Sequence, residues 1–264
     1  MVNQETRKPV QTVERSLTIL FHVAHTARPM TLTEISAGTS VDKATALRLL
    51  GTLQDFNLVS RDPVKLVYVI GPAALHLAGA MQGSLQTMAL PHLTTLRDKT
   101  EESASLNVQR GLERVALLSV EARHELRVVP SPNSAAPIYS GASGLAFMAF
   151  MPPANSARII EITGLDPVNQ RGISEPGQFL EEMNTVRRQG YAVTRGDVTP
   201  GAAAIAAPVL DSAGSPLAVV SLRGPDVRMS AARIAEIAPM VLDAASRISA
   251  DLLGATDSNL SEGK

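Results

Sequence analysis

Apolar residues near the amino terminus recur at the three- and four-residue spacing of an amphipathic helix. They are Val13, Leu17, Leu20, Phe21 and Ala24, and they predict a helix over Val10–His25. Arg28-Pro29 should end this helical stretch, because a residue that precedes proline disfavours helical backbone.

Two more helices are predicted from their start signals. Thr31-Leu32-Thr33-Glu34 is a capping box for a short helix, and Gly38 is expected to end that helix in a left-handed turn. Asp42 can cap a third helix, which runs to about Phe56.

The third predicted helix has two unlike faces. Its apolar stripe consists of Ala46, Leu49, Leu50 and Leu53. The opposite side is small, polar and basic, with Thr45, Arg48 and Thr52 on it and Lys43 in the first turn. Two apolar-faced helices joined by a glycine-containing turn predict a helix-turn-helix, whose second helix can offer cations to phosphates or guanine.

A β-hairpin is predicted after the helices. Leu58–Arg61 and Leu66–Ile70 flank a turn at Asp62-Pro63, with Arg61 and Lys65 at its tip. A helix-turn-helix with a basic hairpin makes a winged helix. The same periodicity also fits a small helical subdomain with solvated charges, so the pattern leaves both interpretations open.

The remaining sequence mixes helical and strand patterns. Pro72–Thr100 is largely helical but interrupted at Pro91, which predicts a linker helix followed by the first helix of a second domain. Ser103–Val120 alternates in two runs split by Arg110-Gly111, which predicts a hairpin. Further strands are expected at Leu126–Val129, Ala136–Ser140, Tyr191–Thr194, Ala203–Leu210 and Leu217–Leu222. Further helices are expected at Gly144–Met151, Ser156–Ile162, Gln178–Gln189 and Ala231–Leu253, the last kinked by Pro239 or truly beginning there. The combination predicts an α+β fold.

Composition narrows the possible functions. The 264 residues are 45% hydrophobic and 3% aromatic, and none is cysteine, which excludes disulfides, thiolate-ligated metals and thiol catalysis. The scarcity of aromatic residues argues against stacking on single-stranded nucleic acid. No apolar run approaches the ~18 residues of a membrane span, so we expect a cytoplasmic protein without a membrane partner.

The charge is unevenly distributed along the chain. The whole chain carries a net charge of −1, of which residues 1–82 contribute +2 and the remainder −3. This sign is expected when a nucleic-acid-binding module is joined to another domain. A change of composition at Ala78–Gly83 predicts a boundary there.

Three clusters resemble catalytic or metal sites but lack the required partners. His22 and His25 have the spacing of a helical metal pair, without a third ligand nearby. Gly141-Ala142-Ser143-Gly144 lacks the spacing of a nucleophile elbow. Glu181-Glu182 and Asp197 are expected on a solvated helix face and in a loop. We therefore expect no catalytic residue, no metal and no cofactor, and we predict that the protein is not an enzyme.

Several segments of the first eighty residues resemble the amino-terminal domain of the IclR family. They are Val10–Leu17, Leu32–Ile35, Asp42–Leu50, Leu53 and Val59–Asp62. These proteins are bacterial transcriptional regulators with a winged helix and a carboxy-terminal effector domain. The resemblance implies operator DNA as a partner and a homodimer or homotetramer. With the hairpin cations, the predicted DNA-binding residues are Ser40, Lys43, Ala44, Thr45, Arg48, Arg61 and Lys65, where Ala44 replaces the family's usual Ser.

The second half resembles the family's effector domain, which is itself similar to GAF-type sensors. The matching segments are Pro137–Ala146, Gly190-Tyr191-Ala192, Gly201–Val209 and Ser221–Pro225. The resemblance implies a pocket lined by Glu125, Val128, Ala142, Thr194, Ala202, Ala204, Ser221 and Arg223. It also implies a winged helix-turn-helix domain over residues 1–71, a linker helix over 72–90, a mixed α/β effector-binding domain over 91–256 and a disordered tail over 257–264.

Departures from the family pattern bear on the ligand. The family commonly has Thr, Lys and Cys where Gly141, Leu145 and Ala204 stand, Arg where Ala203 stands, and Ser where Arg223 stands. The loss of Lys and Cys leaves a roomier apolar wall, which suits an aromatic or branched acid better than glyoxylate.

The chemistry of Arg223 supports an acidic ligand. Ser221 and Arg223 lie two apart on a predicted strand and share a face, where the arginine could hold a carboxylate in bidentate fashion. In the alternative interpretation Arg223 pairs with an acid such as Glu125 and only closes the pocket.

The predicted function is therefore a ligand-responsive, DNA-binding regulator that senses a small organic acid. The alternative is a small-molecule enzyme or sensor whose amino-terminal module docks protein rather than DNA.

Overall fold

Helices and short strands alternate in the amino-terminal unit, which covers Met1–Gln82. The computed structural model describes residues 10–26, 28–129, 134–169 and 172–258. Within the described part, the unit contains α1 (Gln11–Thr26), β1 (Met30–Thr31), α2 (Leu32–Thr39), α3 (Lys43–Asp55), β2 (Val59–Arg61) and β3 (Val67–Ile70). The strands pair antiparallel in the order β1-β3-β2. The predicted helices and hairpin are confirmed.

The helix starts follow the predicted capping chemistry. At α2, the Thr31 Oγ1 accepts from the Glu34 backbone N–H at 3.3 Å, and a Glu34 carboxylate oxygen accepts from the Thr31 N–H at 2.8 Å. The hydrogen bonds that the Glu34 carboxylate accepts, first from the Thr31 N–H, then from the Thr31 hydroxyl at 2.8 Å and from Arg28, lower the pKa of Glu34 to about 2. At α3, an Asp42 carboxylate oxygen accepts from the Thr45 N–H at 2.9 Å. Both caps are confirmed.

The expected role of Gly38 is wrong. The helix α2 continues to Thr39, and the left-handed residue is Ser40, with φ 56°. Gly38 is constrained by proximity instead, since a Cβ there would lie 2.3 Å from Nε2 of His22. The His22 ring therefore packs on α2.

A long helix, α4 (Ala73–Thr100), crosses from the first unit into the second, Gly83–Lys264. It continues through Pro91, where the sequence predicted that one helix ends and another begins. Leu85, Ala89 and Leu93 are buried on one side of it. Packing on both sides of Pro91 outweighs the one backbone hydrogen bond that proline removes.

The second unit is an antiparallel sheet between layers of helices. After α4 come β4 (Ser103–Arg110), β5 (Glu113–Val120), β6 (Ala135–Pro137), α5 (Gly141–Phe150), α6 (Pro153–Thr163), α7 (Pro176–Gln189), β7 (Ala192–Arg195), β8 (Ala202–Leu210), β9 (Pro216–Pro225) and α8 (Ala231–Ser258). In the described residues, the strands pair in the order β6-β5-β4-β9-β8-β7. One face packs on α4 and α8, and the other on α5 and α7.

Three expectations for this unit change. Leu126–Val129 is not a strand: Leu126 is 67% exposed, and its carbonyl accepts from the guanidinium of Arg228 at 3.1 Å instead of from a neighbouring strand. Pro239 does not begin the last helix, because α8 runs from Ala231 with Ile237 and Val241 fully buried. The same helix extends to Ser258, and residues 259–264 of the predicted tail lie outside the described residues.

None of the helices in the described ranges combines the length and the apolar character that crossing a bilayer requires.

We predict that Gly144→Ala destabilises the protein by about 1–3 kcal/mol, because overpacking displaces backbone. A Cβ at Gly144 of α5 would lie 2.6 Å from the carbonyl oxygen of Ile138. The matched control is Gly177→Ala in α7, where a Cβ would meet no atom within 4 Å. Thermal unfolding should show a lower Tm for the first variant and an unchanged or higher Tm for the second. Equal Tm values for Gly144→Ala and the natural protein would contradict the packing.

Candidate functional site

The outer face of α3 is open to solvent. Lys43, Ala44 and Arg48 are exposed and Thr45 is half-buried, whereas the apolar stripe on the opposite side is buried in the core of the unit. The cap at Asp42 fixes where the helix begins and therefore how its first turn presents Lys43. The helical period thus leaves Lys43 and Arg48 on the solvent side of α3.

The remaining predicted DNA-contacting residues flank α3. Ser40 lies in the turn before it, where the Ser36 hydroxyl donates to the Val41 carbonyl at 2.7 Å. Arg61 of β2 places its guanidinium carbon 5.4 Å from the centre of the Tyr68 ring, which restrains an exposed cation. Lys65 lies in the hairpin turn, where its N–H donates to the carboxylate of Asp62.

A polar patch lies on one face of the sheet in the second unit. Ser105 and Asn107 of β4 and Ser221 of β9 are buried there, with 2.9 Å between the two serine hydroxyls and 3.1 Å from Asn107 Nδ2 to Ser221 Oγ. The residues next to them along the strands point to the opposite face and join the apolar core. They are Ala104, Leu106, Val220 and Leu222. Alternation along the strands thus separates an apolar face from a polar one.

Asn107 of the polar patch also lines a cavity. The cavity has a volume of about 220 Å³, and its walls include Asn107, Arg114, Ala116, Val129, residues 134–136, Val198, Thr199 and Arg223. A smaller cavity shares Val198, Thr199 and Arg223 with it and is bounded also by residues 141–142, Thr194, Asp197 and residues 202–204. The two spaces therefore adjoin at Arg223.

Two arginines approach this cavity from opposite ends of the sheet. Arg114 of β5 pairs with Gln109 of β4, whereas Arg223 of β9 pairs with Ser103, at the other end of the same strand. At ~3.3 Å per residue these levels are roughly 20 Å apart. Both side chains nevertheless line the same cavity.

Asp197 is the acid whose charge acts on both arginines, but no salt bridge joins it to either of them in the described structure. Arg114 is 5% exposed, and its Nε donates to the Ser140 carbonyl at 2.9 Å. Its pKa is lowered to about 10, first by burial and then by the charge of Arg223, while Asp197 opposes the shift. Burial lowers the pKa of Arg223 as well. Within the described part of the chain, the Arg223 side chain has no hydrogen bond or salt bridge.

The amino terminus of α5 adds the partial positive charge of a helix dipole to that of the two arginines. Gly141 has φ 68°, and a Cβ there would lie 3.1 Å from a terminal nitrogen of Arg114. The next backbone N–H, that of Ala142, donates to Thr194 Oγ1 at 3.0 Å. A helix start beside one buried and one half-buried arginine favours an anion in this cavity.

The structure gathers most of the predicted pocket residues. Ala142, Thr194, Ala202, Ala204 and Arg223 line the smaller cavity, and Ser221 lies in the polar patch. Val219 shares the face of Ser221, as the strand period predicts.

Two predicted pocket residues lie elsewhere. Glu125 is exposed, Val128 is half-buried, and neither lines the two cavities as the described residues define them. Arg223 makes no ion pair with Glu125 among the described residues; the acid whose charge acts on Arg223 is Asp197.

Sequence reasoning missed Asn107, Arg114 and Asp197. A signal existed in β4, where Ser103, Ser105 and Asn107 alternate with apolar residues in a strand that is otherwise buried. Polar residues repeated on one face of a buried strand indicate a lined cavity rather than a core. Arg114 gave no such signal, because it lies beside exposed Glu113 at a strand end.

The candidate metal pair and the candidate nucleophile of the sequence show no sign of a metal or catalytic site in the described residues. The His22 ring lies against Gly38, and the side chain of His25 lies outside the described residues. Ser143 is 2% exposed inside α5. Among the described residues, no group of three His, Cys, Asp or Glu side chains is arranged to hold a metal ion.

Comparison with known protein families decides between the classes of function left open above. The family model described as "Bacterial transcriptional regulator IclR C-terminal" matches residues 80–250, and the "IclR helix-turn-helix domain" matches residues 12–63. The chain belongs to the IclR family. It is a transcriptional regulator with an amino-terminal helix-turn-helix domain for DNA and a carboxy-terminal mixed α/β domain, and IclR-family regulators respond to small-molecule effectors.

Individual relatives and a solved structure are similar to this chain over most of their length. The chain is 28% identical to the HTH-type transcriptional regulator BhcR of Paracoccus denitrificans, over 91% of this chain and 86% of the relative. It is 24% identical to the transcriptional repressor IclR of Escherichia coli, over 90% and 89% of the two chains. The crystal structure of IclR from Thermotoga maritima matches with a TM-score of 0.62 and 24% identity, over 92% and 99%. The two curated relatives are named a regulator and a repressor. This agrees with the prediction that the chain is a regulator rather than an enzyme.

We predict that Arg223→Met raises the Tm of the ligand-free protein by a few degrees, because it removes a half-buried cation with which no described residue forms a salt bridge. The contrasting variant is Arg228→Met, which strips the carboxylate of Glu102, 5% exposed, of a hydrogen bond of 2.8 Å. Removing one partner of a buried pair should lower the Tm by about 5 °C or more. Calorimetric unfolding measures both, and a lower Tm for Arg223→Met would show that this arginine stabilises the empty fold.

Proposed function

We propose that the protein controls transcription by binding operator DNA through the exposed face of α3, and that a small organic acid in the carboxy-terminal cavity changes this binding. The observation that carries the ligand part is the presence of two arginines at one cavity, the buried Arg114 and the half-buried Arg223. An enclosed positive charge is costly unless an anion offsets it.

The DNA-binding step uses α3 as the recognition helix. In the major groove, Arg48 and Lys43 meet phosphates or guanine, and the small side chains of Ala44 and Thr45 permit close approach to base edges. Arg61 and Lys65 on the β2–β3 hairpin act as a wing on the neighbouring backbone. Because Ala44 lacks a hydroxyl, this position reads shape rather than a hydrogen bond.

Two or more copies of the chain are needed for this function. One recognition helix contacts too few base pairs to select an operator, and paired modules bind two half-sites about one helical turn apart. We therefore propose a homodimer or homotetramer, with the amino-terminal half of α4 contributing to the pairing.

The ligand is a carboxylate that lies between Arg114 and Arg223. Guanidinium groups bind carboxylates through charge-assisted, often bidentate hydrogen bonds. The cavity of about 220 Å³ is smaller than the ~300–1,000 Å³ of pockets for drug-sized ligands, which favours a small acid. The apolar side chains of Ala116, Val129 and Val198 favour an aromatic or branched acid over glyoxylate.

Effector control requires a difference in affinity. The acid shifts the DNA-binding equilibrium only to the extent that it binds one conformation of the protein better than another. When the acid offsets the positive charges of the two arginines, it supplies free energy that can create this difference in affinity.

We predict that Arg48→Ala weakens specific DNA binding by about 5- to 100-fold, the range that losing one base or phosphate contact gives. The assay is a gel shift with DNA from upstream of the chain's own coding sequence, repeated across a salt series. The control is Arg188→Ala, an exposed cation on α7 in the other unit. A contact to phosphate lowers the slope of log affinity against log salt by about 1, whereas a contact to guanine relaxes sequence preference. Unchanged binding by Arg48→Ala would remove α3 from the interface.

We predict that Arg223→Met weakens binding of aromatic acids by about 10- to 100-fold, since it removes a hydrogen bond between charged groups. Calorimetric titration with benzoate, phenylacetate and glyoxylate tests both the charge and the size preference. The control is Arg110→Met, an exposed arginine outside the cavity on the β4–β5 hairpin. If Arg223→Met binds these acids as tightly as the natural protein does, the carboxylate site lies elsewhere.

A further inference from the structure

The orientation of Asn107 is fixed by its neighbours. Three acceptors lie within hydrogen-bond distance of its Nδ2: Ser221 Oγ at 3.1 Å, the Val219 carbonyl oxygen at 3.3 Å and Ser105 Oγ at 3.4 Å. A backbone carbonyl can only accept a hydrogen bond, so the amide nitrogen must face Val219. The amide oxygen is thereby turned away from the polar patch.

The amide oxygen of Asn107 is left without a hydrogen-bond partner in the described part of the chain. Asn107 is 2% exposed, yet its Oδ1 has no hydrogen-bond partner among the described residues. No fully buried side-chain oxygen or nitrogen of those residues lacks a partner, so Oδ1 is not fully buried. This oxygen is therefore the acceptor that Asn107 has available for a ligand in the cavity that it lines together with Arg114 and Arg223.

The three groups together define a ligand with two kinds of polar group. The guanidinium groups of Arg114 and Arg223 supply donors for an anion, and Asn107 Oδ1 supplies an acceptor for a donor on the ligand. The two cations disfavour an ammonium group in the cavity, which leaves a neutral donor such as a hydroxyl.

We propose that Asn107 recognises a hydroxyl group of the effector, so that the effector is a hydroxy acid rather than a plain carboxylic acid. This inference rests on the proposed function, because it takes the cavity to be the effector site. The serines set its specificity: Ser105 and Ser221 hold the amide so that only its acceptor faces the ligand. A ligand without the hydroxyl leaves Oδ1 unsatisfied in a confined space, which disfavours it.

The test compares matched pairs of acids that differ only in the hydroxyl. Mandelate against phenylacetate places the hydroxyl beside the carboxylate, and 4-hydroxybenzoate against benzoate places it at the far end of the ring. Calorimetric titration of the purified full chain with all four acids should show, for at least one pair, about tenfold tighter binding of the hydroxy acid.

Three variants separate recognition from folding. Asn107→Ala should bind the hydroxy acid about tenfold more weakly, so that its affinity falls to that of the matched acid without the hydroxyl. The affinity for that matched acid should not change. The fold should tolerate it, because Ser105 and Ser221 remain bonded to each other. Ser221→Ala leaves Asn107 in place but loosens its amide, and should reduce the hydroxyl preference in part. The control is Gln109→Ala, which removes an exposed amide of the same strand and should behave like the natural protein.

The outcomes are distinct. Loss of the hydroxyl preference in Asn107→Ala, with the partner acid unaffected, supports the proposal. A preference that persists in Asn107→Ala, equal binding within both pairs, or the absence of binding by either hydroxy acid overturns it. If plain acids bind and need Arg223 while no hydroxyl preference is found, the proposed anion site stands and the role of Asn107 alone fails.

Discussion

The alternation of side chains along β4 and β9 is the constraint on which the carboxy-terminal unit depends. Val220 and Leu222 must point into the core against α4 and α8 for the sheet to be covered. The period of two then sends Ser221 and Arg223 to the opposite face. The cavity therefore follows from the same strand register that closes the core, and a one-residue slip would place Arg223 in the apolar layer.

Two buried ionic arrangements in this unit show how differently a fold can treat charge. Glu102 is covered and is matched by the guanidinium of Arg228, so the pair belongs to the structure. Arg223 has no such partner among the described residues, and Arg114 uses only one nitrogen on a backbone carbonyl. Uncompensated burial costs stability, which is typical of a group that an external ligand completes.

The amino-terminal unit applies the same principle to a helix. Ala46, Leu49, Leu50 and Leu53 pack α3 into the core, and the 3.6-residue period leaves Arg48 outside. The cap by Asp42 holds the first turn in place. An exposed cationic face on a helix that is otherwise buried suits a long, anionic partner such as DNA.

Local patterns were enough to predict most helices and strands, both caps of the helix-turn-helix and the family, because each depends on residues within a few positions of one another. They failed where distant contacts outweigh local preference: α4 and α8 continue through Pro91 and Pro239, and Leu126–Val129 forms a loop held by Arg228. Arg223 was predicted through the family resemblance, but Arg114 and Asn107, which line the same cavity, were not. Those two residues meet Arg223 only through strand pairing and side-chain reach, which the order of residues along the chain does not reveal.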